Sequence, residues 1–230
     1  MTRKLYELLG ADDRRFSPYC WRARMAVAHK GLDTGYVPMG FMEKDKIAFS
    51  GQKQVPVLVD GETTICDSWD IACYLDETYA DAPTLFGGDV GRATAWFISC
   101  WMETEVFPSL LHLLVADIYT HARPEDQDYF RESREGRLGQ RLEQCAEQAA
   151  GYLEPFRSSL QPARQVLKRQ GFLCGTLPAY ADYILVGTFQ WARGVSPLAV
   201  IEKDDPLRDW LERMLDLYDG LGRSVTAYDY

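Results

Sequence analysis

The sequence predicts an α/β unit over residues 1–82, with elements in the order βαβαββα on a mixed four-stranded sheet, and an all-α unit over residues 89–230. Three observations predict it. Short apolar strands alternate with a proline-started helix in the first third. The run Val55-Pro56-Val57-Leu58-Val59, with valines on one face, leads through Asp60-Gly61 into Thr63-Thr64-Ile65-Cys66, which is a hairpin pattern. Beyond Gly87-Gly88 the apolar residues recur almost everywhere at helical spacing.

Leu5–Leu9 reads as the first strand, closed by Gly10. Pro18 suits the first turn of a helix, since it has no N–H to lose there, and Tyr19 to Lys30 continue that helix to a stop at Gly31. Tyr36-Val37-Pro38 is the second strand, and the order implies a second helix between it and the hairpin. Ser68 to Tyr79 is a helix with Ile71, Leu75 and Tyr79 spaced four apart on one face. A parallel βαβ unit followed by an antiparallel hairpin and a covering helix gives a mixed sheet with helices on both faces. Asp81-Ala82-Pro83 and Gly87-Gly88 mark a linker. After it, Trp96, Phe97, Cys100 and Trp101 follow helix spacing, Glu125 to Tyr152 forms a long charged helix or pair, and Ala181 to Trp191 is apolar enough to lie at a domain centre. Asp205 caps a last helix with Pro206 at its first position, and Leu207, Trp210, Leu211, Met214, Leu215 and Tyr218 form its apolar stripe.

Composition excludes some partners. The chain has 230 residues and a formal net charge of -9, and nucleic acids and anionic membranes select basic surfaces. Neither is an expected partner. No apolar run approaches the length of a membrane span, and no signal-peptide pattern opens the chain. Cys20, Cys66, Cys73, Cys100, Cys145 and Cys174 are scattered without a CxxC pair and read as reduced thiols of a cytoplasmic protein. His29, His112 and His121 are too few and dispersed for a metal site, so no metal is expected.

Three local signals could carry chemistry. Phe16-Ser17-Pro18-Tyr19-Cys20-Trp21-Arg22 joins the first strand to the first helix. Unpaired N–H groups at a helix start are partly positive and favour a thiolate, to which a serine hydroxyl adds a hydrogen bond. The plainer reading is that Ser17 only caps the helix. The segment resembles the glutaredoxin motif Cys-Pro-Tyr-Cys with its first cysteine replaced by Ser17, so the attacking thiol would have to arrive with a ligand. Cys20 is reactive only if exposed, and a helix cysteine is more often buried and inert. The second signal is Val55-Pro56. A proline entering a strand removes a ladder donor. In a thioredoxin-like domain the reason is a cis peptide that leaves Val55 free to pair with an extended ligand; an edge-strand proline is the alternative. The third is Asp67-Ser68 at a helix start, which suits a ligand carboxylate at the terminus and an ammonium on Asp67, or simple capping. Together the three can bind a short peptide with an α-amino-acid end, a strand-like middle and a thiol at Ser17. Glutathione has that shape, and Lys53 and Gln54 could meet its glycine carboxylate.

At this point the whole chain resembles the cytosolic glutathione transferase superfamily. The markers are Ser17-Pro18-Tyr19-Cys20-Trp21-Arg22, Val55-Pro56-Val57-Leu58, Asp67-Ser68 with Ile71 and Tyr74-Leu75-Asp76-Glu77, and Ala181-Asp182-Tyr183, where Ala179 stands at the usual Ser/Thr cap. Within it the chain looks most like the bacterial β-etherase and fungal serine-type branch, on Ser-Pro-Tyr before Trp-Arg and on Asp204 to Leu211 and Leu217 to Arg223. The resemblance implies Ser17 as catalytic hydroxyl and Val55, Pro56, Asp67 and Ser68 as glutathione contacts, with Tyr6 as the rival for catalysis. It implies glutathione as cosubstrate and a hydrophobic, aromatic electrophile, possible liners being Phe16, Trp96, Phe97, Cys100, Trp101 and Trp191. It also implies a homodimer through the front domain and the Trp96–Tyr119 helix. A glutathione or hydrophobic-ligand carrier without turnover, and thiol–disulfide exchange through Cys20, are the other classes.

Overall fold

A computed structural model of the chain describes residues 3–229; Met1, Thr2 and Tyr230, the outermost residues of the two expected domains, lie outside the described residues. The front domain is thioredoxin-like. Its strands are β1 (Lys4–Leu8), β2 (Gly35–Met39), β3 (Val57–Asp60) and β4 (Thr63–Cys66), in the spatial order β2-β1-β3-β4. β1 runs parallel to β2, with Lys4 opposite Gly35, and antiparallel to β3, with Lys4 opposite Val59. The parallel pair needs a crossover, and α1 (Pro18–His29) supplies it, capped by Ser17 at one end and followed by Gly31 at a φ of 65° at the other. The hairpin closes with Asp60 opposite Thr63 around Gly61 at positive φ. β3 begins at Val57, two residues later than the valine pattern suggests, because Val55-Pro56 is a cis peptide outside the ladder.

One expectation is corrected here. The second helix of the βαβαββα order is a short 3-10 helix, Lys44–Ser50, which ends at Gly51 in the left-handed region and buries only Ile47. Seven residues with one buried anchor gain too little for an α-helix to be stable, and a tighter turn takes their place. The charged stretch 125–152 takes the second of its two expected forms, a pair of helices. It divides into α5 (Pro124–Leu138), α6 (Leu142–Gln148) and a 3-10 turn, Ala149–Tyr152, with Gly139 at positive φ making the first break. The remaining helices are α2 (Ser68–Thr78), α3 (Asp89–Trp101), α4 (Phe107–His121), α7 (Leu153–Ser159), α8 (Gln161–Leu167), α9 (Tyr180–Val195) and α10 (Pro206–Gly220), with a π-helical turn, Met102–Val106, between α3 and α4.

One apolar core joins both layers. Leu5 and Leu58 of the sheet, Trp21 of α1 and Ile71 of α2 belong to the same buried cluster as Leu114, Ile184 and Trp210. α1 buries both its faces, one against the sheet and one against α9, and α9 is buried along nearly its whole length. That close crossing needs glycine: a Cβ on Gly187 would lie 2.6 Å from the Pro18 carbonyl oxygen, and one on Gly194 would lie 2.6 Å from Phe16 Cβ. The start of α9 is anchored by fully buried Asp182. Its carboxylate accepts from the N–H groups of Leu173 (2.7 Å), Cys174 (3.3 Å) and Ala179 (3.2 Å), and from Trp210 Nε1 (2.9 Å). Ala179 itself offers no side-chain cap, so the carboxylate side of the capping arrangement does the anchoring.

Candidate active site

The loop from Gly10 to Ser17 is held from two sides. Arg15 pairs with buried Glu7 of β1, and Arg24 of α1 reaches the same carboxylate at 2.8 Å. Arg14 donates to the Gly194 carbonyl of α9 at 2.9 Å and lies over the Tyr228 ring at 4.7 Å. Phe16 fits into the angle so formed because Gly10 has no side chain; a Cβ there would come within 2.5 Å of the Phe16 ring. Sheet and helical layer together therefore fix where Ser17 stands.

Ser17 is the N-cap of α1. Its Oγ accepts from the Cys20 N–H at 3.3 Å, and Pro18 follows at the first helical position. A hydroxyl that accepts the cap bond still has a proton to donate. The residue is 8% exposed and forms part of the wall of a cavity of about 710 Å³ between the sheet domain and the helices. That volume falls in the range typical of small-molecule sites, roughly 300–1,000 Å³. Phe16, Lys53, Gln54, Val55 and Trp191 line the same cavity. Among the described residues no backbone hydrogen bond takes up the Val55 N–H or C=O, which stand beside the cis peptide at the cavity wall. Pro56 is buried behind Val55.

Two aromatic series run outward from the residues flanking Ser17. Tyr19 meets Phe107 edge-on at 5.9 Å, and Phe107 meets Trp191 at 5.4 Å. Phe16 packs on Phe41 at 6.4 Å, and Phe41 on Phe130 at 5.4 Å. Burial, with further contributions from the charges of Glu103 and Asp67, raises the Tyr19 phenol above its ordinary value. The sulfur of Cys20 is different in kind. It is buried, and the cost of burying a charge pushes its pKa up to about 12. A thiol so protonated is not a nucleophile at neutral pH.

Asp67 and Ser68 do not line the cavity. Asp67 is exposed at the start of α2, with φ 71° and ψ 141°, and its carboxylate accepts from the Trp69 N–H at 2.7 Å. A non-glycine residue at positive φ costs of order 1–3 kcal/mol and persists where surrounding structure imposes it. Ser68 is buried, and its carbonyl accepts from the Tyr180 hydroxyl of α9 at 2.7 Å.

Four expected liners lie elsewhere. The buried stripe of α3 and the π turn is Ala95, Ser99, Met102 and Val106, the face turned to α1 and α9. Residues one or two positions away from that stripe point outward. Trp96 is thus half exposed and packs on Trp69 at 4.8 Å, Phe97 is 72% exposed, Cys100 is exposed, and Trp101 is half buried against the core. Tyr6 is not part of the cavity lining either: it packs on Phe49 at 5.4 Å beside Met39, Ile47 and Val57. Residues not anticipated from sequence complete the wall, chiefly Phe41, Lys44, Phe107, Tyr129, Arg134 and Arg137. The one signal for the arginines was their three-residue spacing on a single helix, which puts both on one face.

A family model described as glutathione S-transferase, C-terminal domain, matches residues 93–216, and one described as glutathione S-transferase, N-terminal domain, matches residues 13–83. A curated relative, glutathione S-transferase Z1 of Arabidopsis thaliana, is 42% identical over 69 residues, which is 28% of this chain and 31% of the relative. The chain thus spans about a third of the length of such relatives. The glutathione S-transferase CsGST63524 of Ceriporiopsis subvermispora, solved in complex with glutathione, is similar with a TM-score of 0.82 and 23% identity over 95% of this chain and 97% of that one. Glutathione transferase GSTFuA3 of Phanerochaete chrysosporium is similar with a TM-score of 0.77 and 24% identity over 97% and 94%. At these identities the likeness is one of fold.

Proposed function

This chain belongs to the glutathione S-transferase family, and from that premise we propose that it is a serine-type glutathione transferase in which Ser17 stabilises the glutathione thiolate. The observation that carries the proposal is the Ser17 hydroxyl at the positive end of α1, on the wall of a cavity that Phe107, Leu111 and Trp191 also line. Glutathione lies as an extended strand against Val55. Its glycine carboxylate meets Lys53 and Gln54, and its γ-glutamyl end meets Asp67 and Ser68 beyond the cavity wall. The Ser17 proton and the Tyr19 N–H then face the sulfur, since Pro18 has no N–H and those of Cys20 and Trp21 are bonded to Ser17. A free thiol has a pKa of about 8.5, and a charge-assisted hydrogen bond plus a helix terminus supply roughly 2–4 kcal/mol, enough to lower it by one to two units or more. The protonated state of buried Cys20 supports this division of labour, because the chain's own thiol at this place is not available as a nucleophile.

The thiolate attacks an electrophilic carbon of a substrate held against the Phe107–Trp191 pair on the cavity wall. The C–S bond forms as the bond to the leaving group breaks, and the leaving group departs with the electron pair. Cleavage of a β-aryl ether, with a phenolate leaving, is the reaction we favour within this class. We also propose a homodimer through the front domain and α3. Val90 and Phe97 on that helix are 84% and 72% exposed, a level of apolar exposure that suits a covered face. The six free cysteines fit a cytoplasmic setting. The test is a panel of electrophiles offered with glutathione, including a model β-aryl ether and a chloro-nitroaromatic. Thioether formation from either supports a transferase, and thioether formation from the ether supports the finer reading. Retention on immobilised glutathione with no turnover of any electrophile would leave a carrier instead.

A further inference from the structure

The chain is strongly acidic, with 34 Asp and Glu against 25 Lys and Arg. Its cavity has the opposite sign. Among the described residues no aspartate or glutamate lines it, while Lys44, Lys53, Arg134 and Arg137 do. Elsewhere the basic side chains largely find carboxylates: Arg15 and Arg24 with Glu7, Lys30 with Asp76, Arg164 with Asp205. On α5 itself Arg131 is bridged to Glu135 at 2.9 Å and to Glu143 at 2.8 Å. Arg134 and Arg137, one and two turns on, make no ion pair among the described residues. Arg134 donates to the Ser133 hydroxyl and lies over the Phe130 ring at 4.8 Å, and Lys44 donates to the Tyr129 hydroxyl at 3.0 Å.

The arrangement is therefore a cavity of mixed apolar and polar lining that carries positive charge without a facing carboxylate. Arg134 and Arg137 are three residues apart on one helix, so their like charges oppose each other until an anion joins them. Arg134 is also half buried, and burial lowers its pKa, so part of its hydration is already lost. Guanidinium groups suit carboxylates because their planar donors match two oxygens. The wall that leads to them is continuous with the chemistry: Phe16, next to Ser17, packs on Phe41, Phe41 on Phe130, and Arg134 lies on Phe130. If Lys53 takes the glycine carboxylate of glutathione, Arg134 and Arg137 remain for the second substrate.

Resting on the transferase reading above, we infer that the electrophile accepted here is an anionic aromatic compound, its ring among Phe107, Leu111 and Trp191 and its carboxylate on Arg134 and Arg137. The carboxylate takes no part in the reaction. It orients the body so that the carbon bearing the leaving group faces the sulfur at Ser17, and it makes the pocket select acids over their neutral counterparts.

The test compares charge twins. 4-Chloro-3,5-dinitrobenzoate and its methyl ester carry the same displaceable chloride, and conjugation with glutathione is followed for both. Binding of the non-reactive pair 3,5-dinitrobenzoate and its methyl ester is followed in parallel by isothermal titration calorimetry in the presence of glutathione. One charge-assisted hydrogen bond to a buried or half-buried group corresponds to a preference on the order of tenfold to a hundredfold. The acid is therefore expected to exceed the ester by about that factor in kcat/KM, corrected for intrinsic reactivity, and in affinity. The ratio should fall with added salt and collapse toward one in Arg134→Gln/Arg137→Gln. Arg137→Gln alone, at an exposed residue without a partner to lose, should lower the ratio with the melting temperature unchanged. Conjugation of both twins at equal efficiency overturns this inference and leaves the transferase intact. Acid-selective binding without conjugation of either twin overturns the transferase and leaves the anion site. A rise in KM for glutathione in the arginine variants, with the acid-to-ester ratio unmoved, assigns the arginines to the tripeptide and overturns the inference.

Discussion

Replacing Ser17 separates two roles that one oxygen combines, a helix cap and a thiolate partner. Ser17→Ala removes both. Losing the cap bond to the Cys20 N–H costs about 1 kcal/mol for alanine but only a few tenths for glycine, which tolerates the cap conformation. For a chain of this size 1 kcal/mol moves the melting temperature by about 2–4 °C. The thiolate role is larger: a hydrogen bond to a charged group is worth about 1.5–3 kcal/mol. Its loss raises the pKa of the bound thiol by roughly one to two units at 1.36 kcal/mol each. Below both midpoints the thiolate fraction then falls on the order of 10- to 100-fold. Ser17→Gly and Ser17→Ala should therefore share the same catalytic defect while differing in stability. The assay is ultraviolet titration of the thiolate in the binary complex with glutathione, beside the pH profile of kcat. Both profiles should shift to higher pH in the variants and approach the unmodified protein at alkaline pH. A thiol midpoint that stays in place in Ser17→Gly would remove the hydroxyl from the mechanism, and a defect confined to Ser17→Ala would reduce it to a cap.

The other consequences can be checked quickly. In Asp182→Asn an amide NH₂ replaces one oxygen that receives two N–H groups; two buried donors without acceptors cost about 2–5 kcal/mol in all, and thermal unfolding should come roughly 5–15 °C earlier. An unchanged melting temperature would mean that the donors find other acceptors. Because burial holds Cys20 protonated up to a pKa of about 12, its alkylation in the native state at pH 8 should be far slower than that of exposed Cys100. Peptide mapping that finds both labelled at one rate would return Cys20 to the list of reactive thiols. In Gly187→Ala the new methyl meets a backbone oxygen at 2.6 Å, so overpacking should cost roughly 1–3 kcal/mol and impair turnover through Ser17 more than glutathione retention at Val55. Full kcat with the expected loss of stability would uncouple the α1–α9 spacing from catalysis.

What could be read in the sequence was local. Pro18 after Ser17, Asp-Gly between two β-branched runs and Asp205-Pro206 each fix a conformation through their own covalent geometry, and each element stands within two residues of where those signals put it. The errors arose where tertiary packing decides. The segment Lys44–Ser50 has helical composition but too little apolar surface to extend a helix. The aromatic residues of α3 share its helix with a stripe of smaller buried residues, and the phase of that stripe, not the size of the side chains, sets which face is inside. Spacing alone ranks Trp96 above Ala95 as a buried residue; the structure reverses them, because the tight approach of α3 to its neighbours has room for alanine and serine there. Arg134 and Arg137 were missed as site residues for the converse reason, since a shared helix face is too weak a signal to mark a site. In a charged helix nothing local separates arginines that meet carboxylates from those that face a cavity.

The placement of Ser17 follows from an asymmetry in how this chain divides its labour. The sheet domain supplies the backbone features suited to a peptide, at Val55, Asp67 and the start of α1. It does not by itself fix the loop that carries the hydroxyl: Arg14 is bonded to the Gly194 carbonyl, and Phe16 and Pro18 sit against Gly194 and Gly187, all on α9. α9 in turn is held at its start by Asp182, a carboxylate that ties it to Trp210 of α10. A disturbance at the far end of the helical domain can thus reach Ser17 through two helices packed without slack, whereas one at Val55 has no such route. Asp182→Asn, though remote from the cavity, should therefore lower kcat well below its unfolding temperature, while Lys53→Gln should raise KM for glutathione and leave kcat nearly level. Steady-state kinetics of the two variants measured at one temperature distinguish these outcomes, and equal effects on KM and kcat in both would break the link between α9 and the hydroxyl.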